Sequence, residues 1–448
     1  MKKYLLYTIF TIIIIGLLLP SVLLLEIGAI SLVSLVFFEL ISQKKELFPI
    51  GLIALSFAGG QWLISPIFTY HTTNNLFSMS VDETTYLSYT LIGYSLFFIG
   101  VMWGRRKSHK NITIQEAERY CKKMKRQYTI LIISGALFMI IPIETPALLF
   151  FKELLSCLFF IGIIMRMYAI PDKSIFTMTI GLAYLLGISI LHGMFHNLVI
   201  WSIFLTLTLF FIKGYALKRK FAIVLILLFC VSTLQSIKAL YRSYTWENSY
   251  HGNKITLFVQ LYYRSLLGEI EGVEEEDINA RFNQGWIISR IYSQIPAKTD
   301  YQDGRTIIEA IEASFMPRII FSDKKDSGVS SIKDFEEFTG YHLTASTSMG
   351  LSVWGEAYGN FGLLGGGMFM LLWGFMIAGL FNWMTALTRH YGYWIFFVPL
   401  IAFNLIKAEI NILSVMNWTL KSLIFVFVII YLLRTQYPNK DVISVFKA

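Results

Sequence analysis

Long apolar runs alternate with short polar breaks from the first residues of this chain almost to its last. A helix needs about 20 mostly apolar residues to cross the hydrocarbon core of a bilayer. Twelve runs approach that length: 4–20, 22–41, 47–68, 86–104, 128–145, 148–167, 174–192, 196–213, 221–238, 361–383, 391–410 and 413–433. The pattern predicts an all-α polytopic membrane protein with about 12 transmembrane helices. One long polar stretch, Ala239 to Val353, interrupts the rhythm. The predicted organisation is an N-terminal membrane bundle of about nine spans (1–238), a large outward-facing loop domain with short helices (239–353), a C-terminal bundle of about three spans (354–433) and a cytoplasmic tail (434–448).

Composition supports the same class. Hydrophobic residues make up 55% of the chain and charged residues 15%, against about 25% charged in a soluble domain, and the mean hydropathy is +0.60. The net charge of +9 sits largely in short loops. Lys2 and Lys3, Lys44 and Lys45, Arg105 to Arg126, Arg166 and Lys173, Lys213 to Lys220, Arg389 and Arg434 fall on one side of the predicted spans. The intervening loops, His71–Asp82, Pro142–Pro146 and His192–His196, are poor in Lys and Arg. The positive-inside rule then places both termini in the cytoplasm and 239–353 outside, and accounts for the basic charge without nucleic acid.

Met1-Lys2-Lys3 and the following apolar run look like a signal peptide. A second run starts directly after Pro20 with no small-x-small cleavage site, so an uncleaved first span is expected. Thr113 to Arg126, ending in Lys122, Lys123, Lys125 and Arg126, reads as a short helix at an anionic lipid surface. Cys121, Cys157 and Cys230 have no paired spacing, which argues against a disulfide framework or a zinc site. His192 and His196 stand four apart with no third ligand nearby in the chain, so no metal and no other cofactor is expected.

The outward segment holds eleven Lys/Arg and sixteen Asp/Glu, so its basic residues do not serve topology. Loops this long are uncommon without a function, and its many aromatic residues argue against disorder. Thr256–Leu267 and Asn279–Gln294 have helical periodicity with an apolar face and are expected as amphipathic helices at the membrane surface. Glu274 to Asp277 reads as a solvated helix cap. Arg242, Arg264, Arg281, Arg290, Arg305 and Arg318 are candidates for phosphate binding, because the guanidinium fork matches phosphate oxygens and stays charged. Pairing with the abundant acids is the alternative for each of them. Arg318 stands out: it follows Met316-Pro317 and precedes Ile319-Ile320-Phe321.

The polar segment re-enters the membrane through Ser346-Thr347-Ser348 and Gly355-Glu356-Ala357-Tyr358-Gly359-Asn360-Phe361-Gly362. An ionisable group beside the hydrocarbon costs ~2.5–3.5 kcal/mol on insertion scales, which makes Glu356 a candidate functional residue. Asn360 is a candidate helix cap. The glycines through Gly367 allow close helix packing. Further along, Asn404, Lys407, Glu409 and Asn411 lie in or near a predicted span, as an interfacial pair or the lining of a polar cavity.

Taken in order, Phe315-Met316-Pro317-Arg318-Ile319-Ile320-Phe321-Ser322-Asp323-Lys324, then Phe338 and Gly340, then Thr347-Ser348, then Gly355 to Gly365, resemble the bacterial O-antigen and capsule repeat-unit polymerases of the Wzy type. The resemblance covers roughly 281–366; the flanking spans match only in number and hydropathy. The Arg-x10-Gly loop motif described for some members is not found.

The resemblance implies an enzyme of the bacterial cytoplasmic membrane. It would be a glycosyltransferase that joins undecaprenyl-pyrophosphate-linked repeat units into O-antigen, capsule or exopolysaccharide on the outer face. The expected partners are those lipid-linked glycans, membrane lipids, a flippase and a chain-length regulator. In such a reaction Arg318 would stabilise the pyrophosphate leaving group, with Arg281, Arg290, Arg305 and Lys324 behind it. Glu356 would act as base toward the acceptor hydroxyl or serve as a structural anchor, and His342 is an alternative base. Tyr358 and Asn360 would contact sugar or phosphate. A flippase or transporter is the rival from another class and an O-antigen ligase the rival among enzymes. The lack of a repeat between the two halves speaks against many transporter plans.

Overall fold

The computed structural model describes residues 2–72, 77–106, 112–143, 145–246, 250–267, 269, 283–315, 327–343, 349–392 and 394–435. Among the described residues the protein is helical and contains no strand. Eight of the described helices are long and apolar enough to cross a membrane: Val22–Ser42, Ile50–Tyr70, Glu83–Arg105, Leu148–Ala169, Pro171–His192, His196–Lys213, Val353–Arg389 and Ile412–Leu433. The chain is thus an all-α polytopic membrane protein.

We number the helices α1 (Lys2–Leu18), α2 (Val22–Ser42), α3 (Ile50–Tyr70), α4 (Glu83–Arg105), α5 (Ile114–Lys123), α6 (Lys125–Ile140), α7 (Pro146–Ala169), α8 (Ser174–His192), α9 (His196–Lys213) and α10 (Leu217–Trp246). The long polar segment supplies α11 (Lys254–Leu266), α12 (Gly285–Gln294), α13 (Arg305–Phe315) and α14 (Ser327–Thr339). The chain ends in α15 (Val353–Tyr391) and α16 (Ile412–Thr435). Of the expected spans outside the eight, α1, α6 and α10 form at or near their predicted places, and 391–410 does not form a continuous helix.

The central pair is α4 against α15, which touch over most of their length. Glycines make that approach possible. A Cβ on Gly100 would strike the Leu371 carbonyl, and one on Gly374 would stand 2.5 Å from the Phe97 carbonyl oxygen. Backbone thus packs on backbone, as small residues allow in membranes. In α3 the regular winding loosens to a π turn at Gly60–Ile64. That turn aims buried Trp62 across the bundle, where its indole N–H donates to the Ala408 carbonyl over 3.1 Å.

The segment between Tyr391 and Ile412 departs from expectation. It is a 3₁₀ turn, a four-residue helix and irregular backbone, and most of its described residues are buried. It runs antiparallel to α16: Trp394 packs on Phe427 with ring centroids 4.5 Å apart. Leu400 accepts a 2.8 Å bond from the Trp418 indole, and the Asn404 amide reaches the Ser414 carbonyl over 3.4 Å. Irregular backbone at membrane depth survives only where protein or a polar cavity covers it. Hydropathy sees the apolar side chains and misses the path of the backbone.

Helix α5 forms where a short helix is expected. A capping box joins Thr113 and Glu116. Its apolar face, Ala117, Tyr120 and Cys121, is buried against protein, with Tyr120 stacked on Phe396 at 6.0 Å. The apolar face therefore does not dip into lipid. All three cysteines are free.

The described helices of the polar segment pack on the membrane helices. Helix α11 starts at the Asn253 cap, whose side chain accepts from Ile255 and Thr256. Its Phe258 face packs on Phe195 and Tyr241, while Ile255, Val259 and Tyr263 on the other side are exposed. That apolar exposure suits the membrane-surface position expected for it. Helix α12, expected at the surface too, is instead buried along its length among α3, α14 and α15. Helix α13 packs on α16.

Candidate functional site

Helix α15 begins two residues before Gly355, earlier than the span expected from residue 361. Ser352 is its N-cap: the Ser352 hydroxyl accepts from the Gly355 N–H over 3.0 Å. The backbone of Ser352 has φ 65°, a left-handed conformation that a buried non-glycine residue rarely adopts. Asn360, expected to cap this helix, lies in its second turn instead.

Helix α15 breaks at Gly362, where φ is 69° and ψ −169°. Only glycine takes that conformation without strain. The break frees carbonyls at the end of the first two turns, and the loop before α13 satisfies them. Gln302 N–H donates to Gly359 and Asp303 N–H to Asn360, each over 3.1 Å. The positive-φ pair Asp303-Gly304 makes the turn that presents these donors. A short helical stub, 353–361, is thus held between membrane helices and the polar segment.

Glu356 sits on the buried side of this stub, 3% exposed. Its Oε2 accepts from the Ile412 N–H over 2.7 Å. Its carboxylate also bonds the Thr306 hydroxyl. Thr306 in turn accepts from Asn360 Nδ2 over 2.8 Å, and the same Nδ2 reaches the Glu356 carbonyl over 2.8 Å. A chain of hydrogen bonds thus runs from the stub through α13 to the first N–H of α16. A carboxylate there meets the positive end of a helix dipole. Asn360 Oδ1 is buried without a partner.

The other predicted site residues divide. Arg290 lies on α12, whose Ile288 and Ile291 pack onto Gly355. Its guanidinium stands over the Tyr341 ring at 5.3 Å, its Nε has no hydrogen-bond partner, and among the described residues no carboxylate pairs with it. Arg305 is engaged instead. It reaches Glu337 at 2.9 Å, Asp334 at 3.4 Å and Glu309 at 3.6 Å, with Nε donating to Gln302. Three acids around one arginine leave a negative surround that repels phosphate, so Arg305 fits the ion-pair alternative. Burial of Asp334 pushes its carboxyl pKa up, and Arg305 opposes that shift.

Tyr358 is 2% exposed, and its hydroxyl donates to the Ile295 carbonyl over 3.3 Å. It belongs to an aromatic cluster with Tyr292 at 4.6 Å, Tyr89 at 5.9 Å and Tyr301 at 6.2 Å. Tyr292 is itself held by the Trp354 indole at 2.6 Å and Thr90 at 3.0 Å. The role of Tyr358 is to seat α12 on the stub rather than to present a free hydroxyl. His342 is largely exposed, 3.5 Å from Glu336, and no contact joins it to Glu356. Arg281, Arg318 and Lys324, and the run Glu274 to Asp277, lie outside the described residues. His192 ends α8 and His196 begins α9, so helical spacing does not bring the two imidazoles together.

Thr306, the Ile412 N–H, the Tyr301–Gly304 turn and Tyr292 were not foreseen. The Asp303-Gly304 dipeptide is a turn signal that marks one of them; the others carry no local signature. Comparison with family models, with curated proteins and with solved structures finds no match to this chain. What is defined here is a class: a polytopic helical membrane protein whose long polar segment folds onto a broken helix.

Proposed function

We propose that this protein is a membrane glycosyltransferase that polymerises polyprenyl-pyrophosphate-linked oligosaccharide repeat units on the outer face of a bacterial cytoplasmic membrane. The observation that carries the reading is Arg290. It is a guanidinium without a carboxylate partner among the described residues, placed over an aromatic ring, on a helix packed against the stub that bears Glu356. Such a cation suits a phosphate-bearing ligand, and the motif resemblance around it points to the same substrate class.

In the proposed reaction the bond from the donor's anomeric carbon to its phosphate oxygen breaks. The acceptor hydroxyl forms the new glycosidic bond and gives up its proton to the departing pyrophosphate or to solvent. The electron pair leaves with the polyprenyl pyrophosphate. Fixed cations lower that barrier by meeting the growing charge. Arg290 is the described candidate, and Arg318, Arg281 and Lys324 are further candidates from the sequence. Glu356 is a positioning residue in this reading, because its carboxylate is committed to Ile412 and Thr306.

One observation favours the rival flippase reading. The irregular segment Trp394–Asn411 carries Lys407 and Glu409, and discontinuous crossings with polar groups are a habit of transporters. The deciding experiment is the lipid-linked and surface glycan profile of a deletion strain, complemented with wild type or Arg290→Ala at matched protein level. Single repeat units on the outer side, restored to a ladder by wild type only, support the polymerase. Units trapped on the inner side select the flippase; unattached long polymer selects the ligase.

A further inference from the structure

Away from that site, the ends of α2, α3 and α4 meet at Glu26, His71 and Glu83. One donor atom from each lies within 4.8 Å of the others. His71 Nε2 stands 2.6 Å from Glu26 Oε1 and 3.9 Å from Glu83 Oε1. The two carboxylate side chains are each 15% exposed, whereas that of His71 is 61% exposed. Glu83 Oε1 is shut from solvent and has no hydrogen-bond partner. Among the described residues no Lys or Arg pairs with either carboxylate.

We propose that Glu26, His71 and Glu83 form a divalent-cation site of the zinc class, which ties the ends of three membrane helices together. Two largely buried carboxylates facing each other need a shared proton, as in the Glu83–Glu26 hydrogen bond, or a cation beside them, and a metal ion supplies the largest such charge. One imidazole with two carboxylates matches a three-ligand zinc site whose remaining position holds water. The harder ions magnesium and calcium prefer oxygen alone. The distances fit. Zinc bonds of about 2.0–2.1 Å in a tetrahedron set ligands about 3.3 Å apart. The 2.6 Å and 3.9 Å separations bracket that spacing, so small rotations of His71 and Glu83 suffice. His71 faces solvent, which gives the ion a way in.

The three ligands are 45 and 12 residues apart along the chain, so no motif announces them, and the sequence reading expects no metal. Nor does the site depend on the polymerase reading: α2, α3 and α4 would be clamped whatever reaction follows.

The test is zinc binding to the purified full-length protein in nanodiscs, saturated with Zn2+, desalted and analysed for metal. Wild type is expected to retain one equivalent. His71→Ala, and the near-isosteric Glu26→Gln and Glu83→Gln, are expected to bind about 100-fold more weakly or worse, since loss of a mere outer partner already costs ~10–100-fold. Zinc should also raise the thermal unfolding midpoint of wild type and not of the Glu26→Gln/Glu83→Gln double variant. Wild type holding no more zinc than that double variant overturns the proposal. So does full zinc affinity in His71→Ala, whose exposed side chain is not needed for folding.

Discussion

Replacing Glu356 in two ways separates its possible roles. Alanine removes the acceptor for the buried Ile412 N–H and the partner of the Thr306 hydroxyl. Each is a bond to a charged group, worth about 1.5–3 kcal/mol, and the Ile412 donor is left unpaired. Relief from burying a carboxylate offsets part of this, and the cavity left by the side chain adds to it. We expect a net loss of about 3–5 kcal/mol. Glutamine keeps an oxygen for Ile412. Its amide then faces Thr306, which already accepts from Asn360, so the Thr306 proton loses its acceptor. That costs about 1–2 kcal/mol, so the two variants differ by about 1–4 kcal/mol. The assay is thermal unfolding of each purified variant beside its polymer ladder at matched expression. Glu356→Gln is expected to unfold near wild type and to keep the ladder; Glu356→Ala is expected to unfold early and lose it. A Gln variant as unstable as Ala refutes the hydrogen-bond account. A stable Gln variant without polymer refutes the positioning role and makes the carboxylate a base.

Three further outcomes are expected. Arg290→Ala should unfold like wild type yet shorten or abolish the ladder, because the side chain is tied to no acid; a marked drop in thermal midpoint would show a structural role instead. Gly100→Ala should destabilise the α4–α15 crossing by about 1–3 kcal/mol, the usual cost of overpacking, measured by unfolding in detergent, and an unchanged midpoint would mean the helices separate freely. Arg305→Ala should make stability more pH-dependent. Asp334 has a raised pKa in the fold, so the folded state binds more protons than the unfolded chain between the two pKa values, and stability falls as pH rises through that window. Loss of Arg305 removes the cation that opposes the rise, so the window moves upward and acidification from neutral pH should stabilise the variant more than wild type. Equal pH profiles, or rescue absent in Arg305→Ala/Asp334→Asn, would count against the paired arrangement.

The membrane class was legible because period and length decide it: runs of some 20 apolar residues leave the backbone few choices. Capping was harder to read: Asn360 was expected as a cap, whereas the caps that form are Ser352, Thr113 with Glu116, and Asn253. The importance of the Gly355–Gly362 segment was readable from a carboxylate and an amide set at a membrane entry. Their partners were not, since Thr306 and Ile412 come from elements 50 and more residues away in opposite directions. Arg305 could not be told from Arg290 for the same reason: its acids Asp334 and Glu337 arrive by a fold-back that no periodicity encodes. The residues from Tyr391 to Ile412 failed differently. Their apolarity is real, but Pro399 and the packing of Trp394, Trp62 and Trp418 leave no room for a regular helix there.

That stretch bears on how the protein is made. A buried stretch whose carbonyls are satisfied by Trp62 and Trp418 carries too few internal bonds to settle by itself. One of its donors leaves the ribosome more than 300 residues earlier, and the other follows it. The stretch and α16 must therefore assemble together, against a bundle already in place. Trimming the chain inside α16 would strand the preceding stretch as well as the helix, and would hand both to quality control.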